Sequence, residues 1–295
     1  MGKKCFYIVD VFSEKKYAGN QLAVFKDAQD LSEAEMQQIA REMNFSETTF
    51  ILSEEPHDGG YDVRIFTPRM ELPFAGHPTL GTAFIIQQEI VPHRAETVIL
   101  NLKVGQIPVS LNYTNNKIDN LWMKQIAPIF GPTHNREKLA DVLSIEKDDI
   151  LDHFPVQEVS TGVYCFIVPL RTLDAVKRTQ ILREKYFKFI ENTQAKGILI
   201  FSPETYSKKN DLNVRFFDDY VGVPEDPATG SANGCLCGYL VKHRYFGDEK
   251  IDIRVEQGYE MKRPSLLFLR GEEKEGKIDV FVGGKVIMIA QGEFV

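Results

Sequence analysis

The sequence predicts an α+β fold in two similar halves, each a curled, mostly antiparallel sheet around a central buried helix. Three observations support this prediction. The pattern Pro-x-x-Gly-[Ser/Thr]-Ala occurs at Pro78–Ala83 and again at Pro227–Ala232, about 150 residues later, or roughly half of the chain. An arginine in an apolar, strand-like run precedes each copy, at Arg64 and at Arg215. Each copy then continues into a segment that is apolar nearly all round, which is typical of a buried helix.

The first half alternates strand and helix patterns. Ser32 and Glu35 form a capping box, which predicts that a helix begins after Ser32. The β-rich run from Thr48 to Leu52 follows this helix and leaves Glu47 at the mouth of a strand. The other strand patterns of this half are Cys5–Phe12, Leu22–Phe25, Val63–Phe66, Val98–Leu102, Ile107–Leu111 and Leu121–Gln125.

The segment Ile126–His134 contains two prolines and is the best boundary between the halves. We therefore assign residues 1–126 to the first half and residues 127–284 to the second. The second half has helix patterns at Arg136–Leu143 and Leu173–Ile190, and strand patterns at Val156–Leu170, Gly197–Phe201, Ile251–Glu256 and Ser265–Arg270.

Charge and composition exclude several classes of function. The formal net charge of −7 and the absence of a dense Lys/Arg block argue against a nucleic-acid partner. No apolar run is as long as the roughly 18 residues of a membrane span, and no cleavable signal pattern is present, so we predict a cytoplasmic protein without a membrane partner. The 6 histidines and 4 cysteines lack metal-ligand spacing, so we predict no metal.

The starts of the two apolar helices are the strongest candidates for a site. Pro78 fits the first position of a helix, which places His77 at the N-cap and Gly76 just before it. Asp226 and Pro227 take the corresponding positions in the second copy. A buried helix start has N–H groups without intrahelical partners and a positive dipole end, so it attracts an anion. We expect the two starts to face each other across a cleft and to bind a carboxylate.

The charged candidates also have structural interpretations. Histidine is not a preferred N-cap, so His77 is equally compatible with a chemical and a structural role. Asp226 alone indicates a structural role, because aspartate is a favoured N-cap. Glu47 alone is typical of a solvated carboxylate after a helix.

The uncharged candidates are ambiguous in the same way. Asn20 follows a glycine and is most simply a turn residue. Gly76, Gly230 and Ser231 serve either close packing of the helices or, through the exposed N–H groups beside them, the binding of an anion.

Four specific motifs are spread along the chain. They are Asn44–Phe50, Phe74–Ala83, Asp226–Ala232, and Gln257–Gly258 together with Arg263–Ser265. Together they resemble the phenazine-biosynthesis PhzF family, and the resemblance extends from the first strand to the C-terminus. It implies the diaminopimelate-epimerase-like fold, in which the last strand crosses back, so that residues 285–295 would complete the first half.

The resemblance also implies an activity. The enzymes of this family are cofactor-free isomerases that act on trans-2,3-dihydro-3-hydroxyanthranilate. By resemblance, Glu47 is the acid/base that removes a proton from one ring carbon and returns it to another. The site predicted on this basis has Glu47, His77 and Asp226 as catalytic residues and Asn20, Gly76, Gly230 and Ser231 as substrate-binding residues.

The leading hypothesis is therefore a cofactor-independent isomerase that moves a proton on a small cyclic or amino-acid-like carboxylate in the cleft between the halves. The resemblance further implies a homodimer. One alternative is an epimerase or racemase of a small amino acid, and another is a non-catalytic protein that binds a small ligand on the same scaffold. Related epimerases and racemases use a pair of cysteines near these two helix starts. This chain has no cysteine there, which argues against two-thiol racemisation.

Overall fold

The computed structural model describes residues 3–295, and these residues form two compact units. The first unit ends at Met123 and is completed by Gly283–Val295, and the second unit is Lys124–Val282. In chain order the elements are β1 (Lys4–Val11), β2 (Asn20–Phe25), α1 (Glu33–Met43), β3 (Glu47–Ile51), β4 (Tyr61–Phe66), β5 (Glu71–Leu72), α2 (Gly76–Glu89), β6 (Thr97–Leu102), β7 (Gly105–Thr114), β8 (Lys117–Lys124), β9 (Ile129–His134), α3 (Arg136–Leu143), a 3₁₀ turn (Lys147–Asp149), β10 (Val156–Ser160), β11 (Tyr164–Pro169), α4 (Leu173–Arg178), α5 (Arg183–Ile190), β12 (Gly197–Ser202), β13 (Leu212–Asp218), a second 3₁₀ turn (Asp219–Val221), β14 (Val223–Asp226), α6 (Gly230–Lys242), β15 (Lys250–Gln257), β16 (Ser265–Lys274), β17 (Lys277–Gly284) and β18 (Val286–Phe294).

The two units repeat one pattern of strand pairing. In the first unit β1 pairs antiparallel with β2, β2 parallel with β3, β3 antiparallel with β4, and β4 both antiparallel with β5 and parallel with β6. In the second unit the same relations join β10, β11, β12, β13, β14 and β15 in that order. One further strand joins each pattern, because β18 pairs antiparallel with β1 and β9 pairs antiparallel with β10. The predicted α+β fold with two similar, mostly antiparallel halves is confirmed.

Each unit contains one apolar central helix. Every residue of α2 from Gly76 to Gln87 is buried, and in α6 all residues except Ser231 and Lys242 are buried. Close approach to the sheet requires a small residue at Gly81, where a Cβ atom would lie 2.6 Å from Leu22 Cδ2. Within residues 3–295, however, none of the helices combines the length and apolar composition needed to traverse a lipid bilayer.

Local signals predicted some elements well and others incompletely. The capping box of Ser32 and Glu35 is confirmed at the start of α1. The segment 126–134, predicted as a boundary, contains β9, which tolerates Pro132 because the pairing register with β10 shifts there.

The helix predicted over residues 173–190 is divided into α4 and α5. Between them, Gln180 N–H donates to the Leu143 carbonyl and Leu182 N–H to the Val142 carbonyl, both at the end of α3. These bonds to another helix replace the intrahelical bonds that a continuous helix would need.

Candidate active site

A carboxylate and an imidazole meet in the first unit. Glu47 is the first residue of β3, where its backbone pairs with Leu22 of β2, and His77 is the second residue of α2. Glu47 Oε2 lies 3.2 Å from His77 Nε2, and the two side chains are only 16% and 7% exposed. The fold therefore brings together two of the three predicted catalytic residues, in a place that is largely shielded from solvent.

His77 is neutral in this environment. Burial lowers the pKa of His77 from its ordinary value of 6.5 to about 3, and a backbone hydrogen bond with Gln21 opposes this shift only in part. Because the ring carries no positive charge near neutral pH, its contact with Glu47 is a dipolar contact and not an ion pair. The imidazole can therefore accept or donate a hydrogen bond beside the carboxylate without neutralising it.

Asn20 lies against the other ring nitrogen. Its Nδ2 is 3.4 Å from His77 Nδ1, and Asn20 is only 1% exposed. The preceding Gly19 has a φ of +69°, and a Cβ atom there would lie 2.3 Å from the Val11 carbonyl oxygen. This turn sets Asn20 at the beginning of β2, next to the imidazole. The structure thus places Asn20 in contact with a predicted catalytic residue, and its role in substrate binding stays a prediction.

The prediction that His77 is an N-cap was wrong. The N-cap of α2 is Ala75, with φ −153° and ψ 143°, so Gly76 and His77 are the first two helical residues and Pro78 is the third. A proline is compatible with this third position as well as with the first, because the first four N–H groups of a helix have no intrahelical partner.

Asp226 was also predicted as an N-cap, and this prediction was wrong too. Asp226 ends β14, where it pairs with Phe216, and the N-cap of α6 is Thr229. Pro227 explains the difference, because a residue before proline avoids the helical region and stays extended. The Asp226 side chain accepts a short hydrogen bond from the Thr229 hydroxyl group, and Asp226 is 8% exposed.

A repeated ion pair identifies which residues correspond in the two units. Arg64 donates from Nε and Nη2 to both carboxylate oxygens of Glu71, at 2.8 and 2.6 Å. Arg215 makes the same bidentate contact with Glu225, at 2.8 and 2.9 Å. In each unit the arginine lies on the strand before the short hairpin strand that carries the glutamate (β4 and β5, β13 and β14). These pairs fix the end of each hairpin relative to the strand that precedes it.

The central helices then begin at equivalent points. Glu71 lies five residues before Gly76, and Glu225 lies five residues before Gly230. The structural counterpart of His77 is therefore Ser231, and not Asp226 as the repeated proline pattern suggested. Gly76 and Gly230 are the equivalent first residues of the two helices, and their role in substrate binding stays a prediction.

The carboxylate of Glu47 has no counterpart in the second unit. Glu47 begins β3 and pairs with β2, and the residue that begins β12 and pairs with β11 is Gly197. A Cβ atom at Gly197 would lie 2.4 Å from the ring of Phe216, so the place of a side chain is filled by an aromatic ring. The two units thus share the fold, and only the first has an acidic side chain at this position.

Both helix starts are suited to an anion. Neither the N-cap of α2 nor that of α6 has a side-chain hydrogen bond, and neither helix has an acidic residue in its first turn. The first N–H groups and the positive end of the helix dipole are therefore not compensated by a carboxylate from the same helix. Gly76, Gly230 and Ser231 lie in these first turns, and their part in binding an anion stays a prediction.

Gln257 is a site residue whose role the sequence did not indicate. It ends β15 and contacts the loop before α6, donating from Nε2 to the Asp226 carbonyl at 2.9 Å. The next residue, Gly258, has a φ of +78°, and a Cβ atom there would lie 2.5 Å from the Pro227 carbonyl oxygen. The only signal in the sequence was its place before Gly258 in one of the motifs that resemble the family.

Comparisons with known proteins agree on one family. The sequence profile of the PhzC-PhzF family, described as phenazine biosynthesis-like protein, matches residues 9–292. The chain is 34% identical over 294 residues to a trans-2,3-dihydro-3-hydroxyanthranilate isomerase of Pseudomonas fluorescens, covering 98% of this chain and 99% of that one. It is 32% identical over 289 residues to an uncharacterized isomerase of Pasteurella multocida, covering 98% of this chain and 93% of that one.

Solved structures extend the similarity to the fold. A phenazine biosynthesis protein of the PhzF family from Bacillus anthracis superposes with a TM-score of 0.90 at 28% identity, over 100% of both chains. A probable proline racemase from Agrobacterium radiobacter superposes with a TM-score of 0.64 at 9% identity, over 99% of this chain and 93% of that one. The second likeness shows that isomerases and amino-acid racemases share this architecture.

Proposed function

This chain belongs to the phenazine biosynthesis-like PhzC-PhzF family of isomerases, and from this premise we propose that it is a cofactor-independent isomerase. It moves a proton between two carbon atoms of a small cyclic or amino-acid-like carboxylate. The observation that carries the proposal is the contact of Glu47 with a buried, neutral His77, at 3.2 Å.

Glu47 is the acid/base of the proposed reaction. A carboxylate can take a proton from a carbon that is acidified by a neighbouring carboxyl or conjugated system, and the resulting acid can return the proton to a second carbon. One group that first accepts and then donates the same proton needs neither a metal nor a cofactor. Partial burial of the Glu47 side chain, which is 16% exposed, limits competition from water for that proton.

His77 lies beside Glu47 without an opposing charge. Asn20 Nδ2 lies 3.4 Å from Nδ1 and Glu47 Oε2 lies 3.2 Å from Nε2, so the neutral ring lies between the amide and the carboxylate. A charged imidazolium would instead favour the carboxylate form strongly and would make Glu47 a weaker base. The neutral ring contacts the carboxylate and leaves its basicity available.

Glu47 has no equivalent carboxylate in the second unit, and this favours an isomerase over a two-base epimerase. An epimerase inverts a stereocentre by removing a proton on one face and adding one on the other, which needs two groups. The structural counterpart of Glu47 in the second unit is Gly197, which has no side chain for this purpose. Suprafacial movement of a proton by Glu47 alone is the chemistry that fits this asymmetry.

The decisive experiment follows proton exchange with trans-2,3-dihydro-3-hydroxyanthranilate, the substrate of the Pseudomonas fluorescens relative, in ²H₂O. We expect the wild type to isomerise it and Glu47→Gln to lose about 10²–10⁴-fold in rate, the usual size of general acid–base catalysis, with binding retained. Glu55→Gln, which changes an exposed glutamate after the same strand, is the matched control and should keep full activity.

The alternatives predict other outcomes of this experiment. Deuterium incorporation with inversion at one stereocentre would indicate an epimerase or racemase. Calorimetric binding of small carboxylates without any proton exchange would indicate a non-catalytic binding protein. Full activity of Glu47→Gln would remove Glu47 from the mechanism.

A further inference from the structure

Strand β3 and helix α2 contact each other through polar side chains at two successive levels. At the first level, Glu47 Oε2 lies 3.2 Å from His77 Nε2. At the second, the hydroxyl oxygens of Thr49 and Thr82 lie 2.8 Å apart. Glu47 and Thr49 project from the same face of the strand, about 6.6 Å apart along it. His77 and Thr82 are separated by about 7.5 Å along the helix axis, so the two contacts follow each other along the same pair of elements.

The hydroxyl pair lies in apolar surroundings. Thr49 and Thr82 are each 0% exposed, so water does not compete for their contact. Gly81 and Ala83, on either side of Thr82, are buried too, and the helix continues with the buried residues Phe84–Ile86. A hydroxyl group without a partner is strongly disfavoured in such an interior. The two threonines therefore stabilise the one arrangement of helix and strand in which they meet.

Another contact of α2 with the sheet is apolar. A Cβ atom at Gly81 would lie 2.6 Å from Leu22 Cδ2 and 2.9 Å from Val11 Cγ2, so the helix backbone packs closely on β1 and β2 there. Apolar packing has no preferred direction, whereas a hydrogen bond is favourable only over a narrow range of distances and angles. The hydroxyl pair is thus a directional contact that fixes how far α2 is displaced along β3.

We propose that Thr49 and Thr82 are positioning residues that hold β3 and α2 in the register at which the Glu47 carboxylate meets the His77 ring. This inference rests on the proposed function, and it adds to it the interaction that holds the acid/base and its neighbour together. All four side chains belong to the first unit. A misplacement of about 1 Å can lower the rate of a catalysed reaction about 10²-fold, so a small displacement of α2 along β3 is enough to impair proton transfer.

The test removes the two hydroxyl groups singly and together, because valine has the shape of threonine without the hydroxyl group. Thr49→Val and Thr82→Val each leave one buried hydroxyl group without its partner and should lower the midpoint of urea unfolding. The double valine variant leaves none, so its midpoint should return close to that of the wild type. Its kcat for proton exchange should nevertheless be about 10–10²-fold lower with KM unchanged, because the directional contact is gone.

A double serine variant, Thr49→Ser with Thr82→Ser, separates positioning from stability. It keeps both hydroxyl groups and loses two buried methyl groups, so it should be less stable than the double valine variant and still have the wild-type kcat. A purely structural role predicts the opposite order, since activity would then follow stability.

Thr179→Val is the control for the loss of a buried hydroxyl group elsewhere in the chain. Thr179 belongs to the second unit and is 1% exposed, and its hydroxyl group donates to the Ala175 carbonyl, four residues earlier, at 2.8 Å. This variant should keep the full kcat.

The ring ¹⁵N shifts of His77 provide a readout that does not depend on turnover. Because they respond to the contact with Glu47, they should differ from the wild-type values in the double valine variant and match them in the double serine variant. If the double valine variant does not fold, Thr82→Val and Thr82→Ser alone give the same comparison.

Two results would overturn the inference. One is a wild-type kcat together with wild-type His77 shifts in the double valine variant. The other is a folded double serine variant that is as slow as the double valine variant. Either result, obtained together with Glu47-dependent proton exchange, would leave the isomerase proposal standing. If the wild type catalyses no exchange, the proposed function fails, and the His77 shifts alone decide whether the two threonines position the ring.

Discussion

The neutrality of His77 leads to a quantitative prediction about stability and pH. Folding lowers the pKa of His77 from 6.5 to about 3, so the unfolded chain binds a proton at a higher pH than the folded chain does. Stability that is fully present above about pH 6.5 is therefore lost as the pH falls towards 3. The shift corresponds to about 5 kcal/mol in total, of which about 2 kcal/mol is lost between about pH 7.5 and pH 5.

The assay compares urea unfolding of the wild type and His77→Gln at these two pH values. The glutamine has an amide nitrogen near the position of Nε2 but does not titrate, so the loss on acidification should be about 2 kcal/mol smaller in the variant. Repeating the comparison in a Glu47→Gln background removes the contribution of the neighbouring carboxylate. Ring ¹⁵N shifts should show a neutral His77 at pH 5. A ring protonated at pH 6, or equal losses in both proteins, would refute the reasoning.

Three further predictions concern stability. Arg215→Gln should lower the free energy of unfolding, measured by urea titration, by about 3–5 kcal/mol, because it breaks a bidentate ion pair and two hydrogen bonds to buried carbonyl groups. Arg64→Gln should lower it less, because the Arg64 side chain is 22% exposed whereas that of Arg215 is 9% exposed. Gly258→Ala should lower the melting temperature much more than Gly59→Ala. Both glycines have φ near +79°, but only a Cβ atom at Gly258 would meet backbone atoms, at 2.5 Å. Equal shifts of the melting temperature in the two variants would contradict this prediction. Burial raises the pKa of the Asp218 carboxyl to about 6, so the stability of the protein falls as the pH rises from 4 to 6 and this group ionises. Asp218→Asn should therefore raise the free energy of unfolding by up to about 3 kcal/mol at pH 7.5 and should not change it below about pH 4. Thermal melts at both pH values will show this difference.

The sequence predicted those features that depend on neighbouring residues. The capping box of Ser32 and Glu35 is a local interaction, and the helix Arg136–Leu143 has the bounds that its apolar spacing indicated. Glu47 was placed correctly at the beginning of a strand, because the β-rich residues that follow it define that strand. Its contact with His77, thirty residues further along the chain, could be expected only from the resemblance to a family.

The start of each central helix was predicted less well for a physical reason. The prediction aligned the two repeated prolines with each other. A proline fits any of the first helical positions, whose N–H groups have no intrahelical partner, so it does not identify the residue at which a helix begins. The ion pairs give the register instead. Arg64 and Glu71 are 7 residues apart, whereas Arg215 and Glu225 are 10 residues apart, so the second hairpin is longer.

The role of Gln257 could not be predicted because it is not local. Gln257 contacts Thr229 and Asn233, which are 28 and 24 residues away in the chain. Sequence patterns of helix caps consider only the residues beside the helix start. Here the cap of the Thr229 N–H is supplied by a strand that follows the helix.

The antiparallel pairing of β1 with β18 joins the two parts of the chain that form the first unit, so the second unit is an insertion within the first. Lys4 lies opposite Phe294, so the first unit is closed by its own two ends, and the chain leaves it after Met123 and re-enters at Gly283. Suppose that the second unit unfolds while β1 and β18 stay paired. Its roughly 160 residues then form a loop with both ends anchored. Closing this loop costs about 4–5 kcal/mol of conformational entropy relative to a free tail. The last strand of the chain thereby protects a unit to which it does not belong.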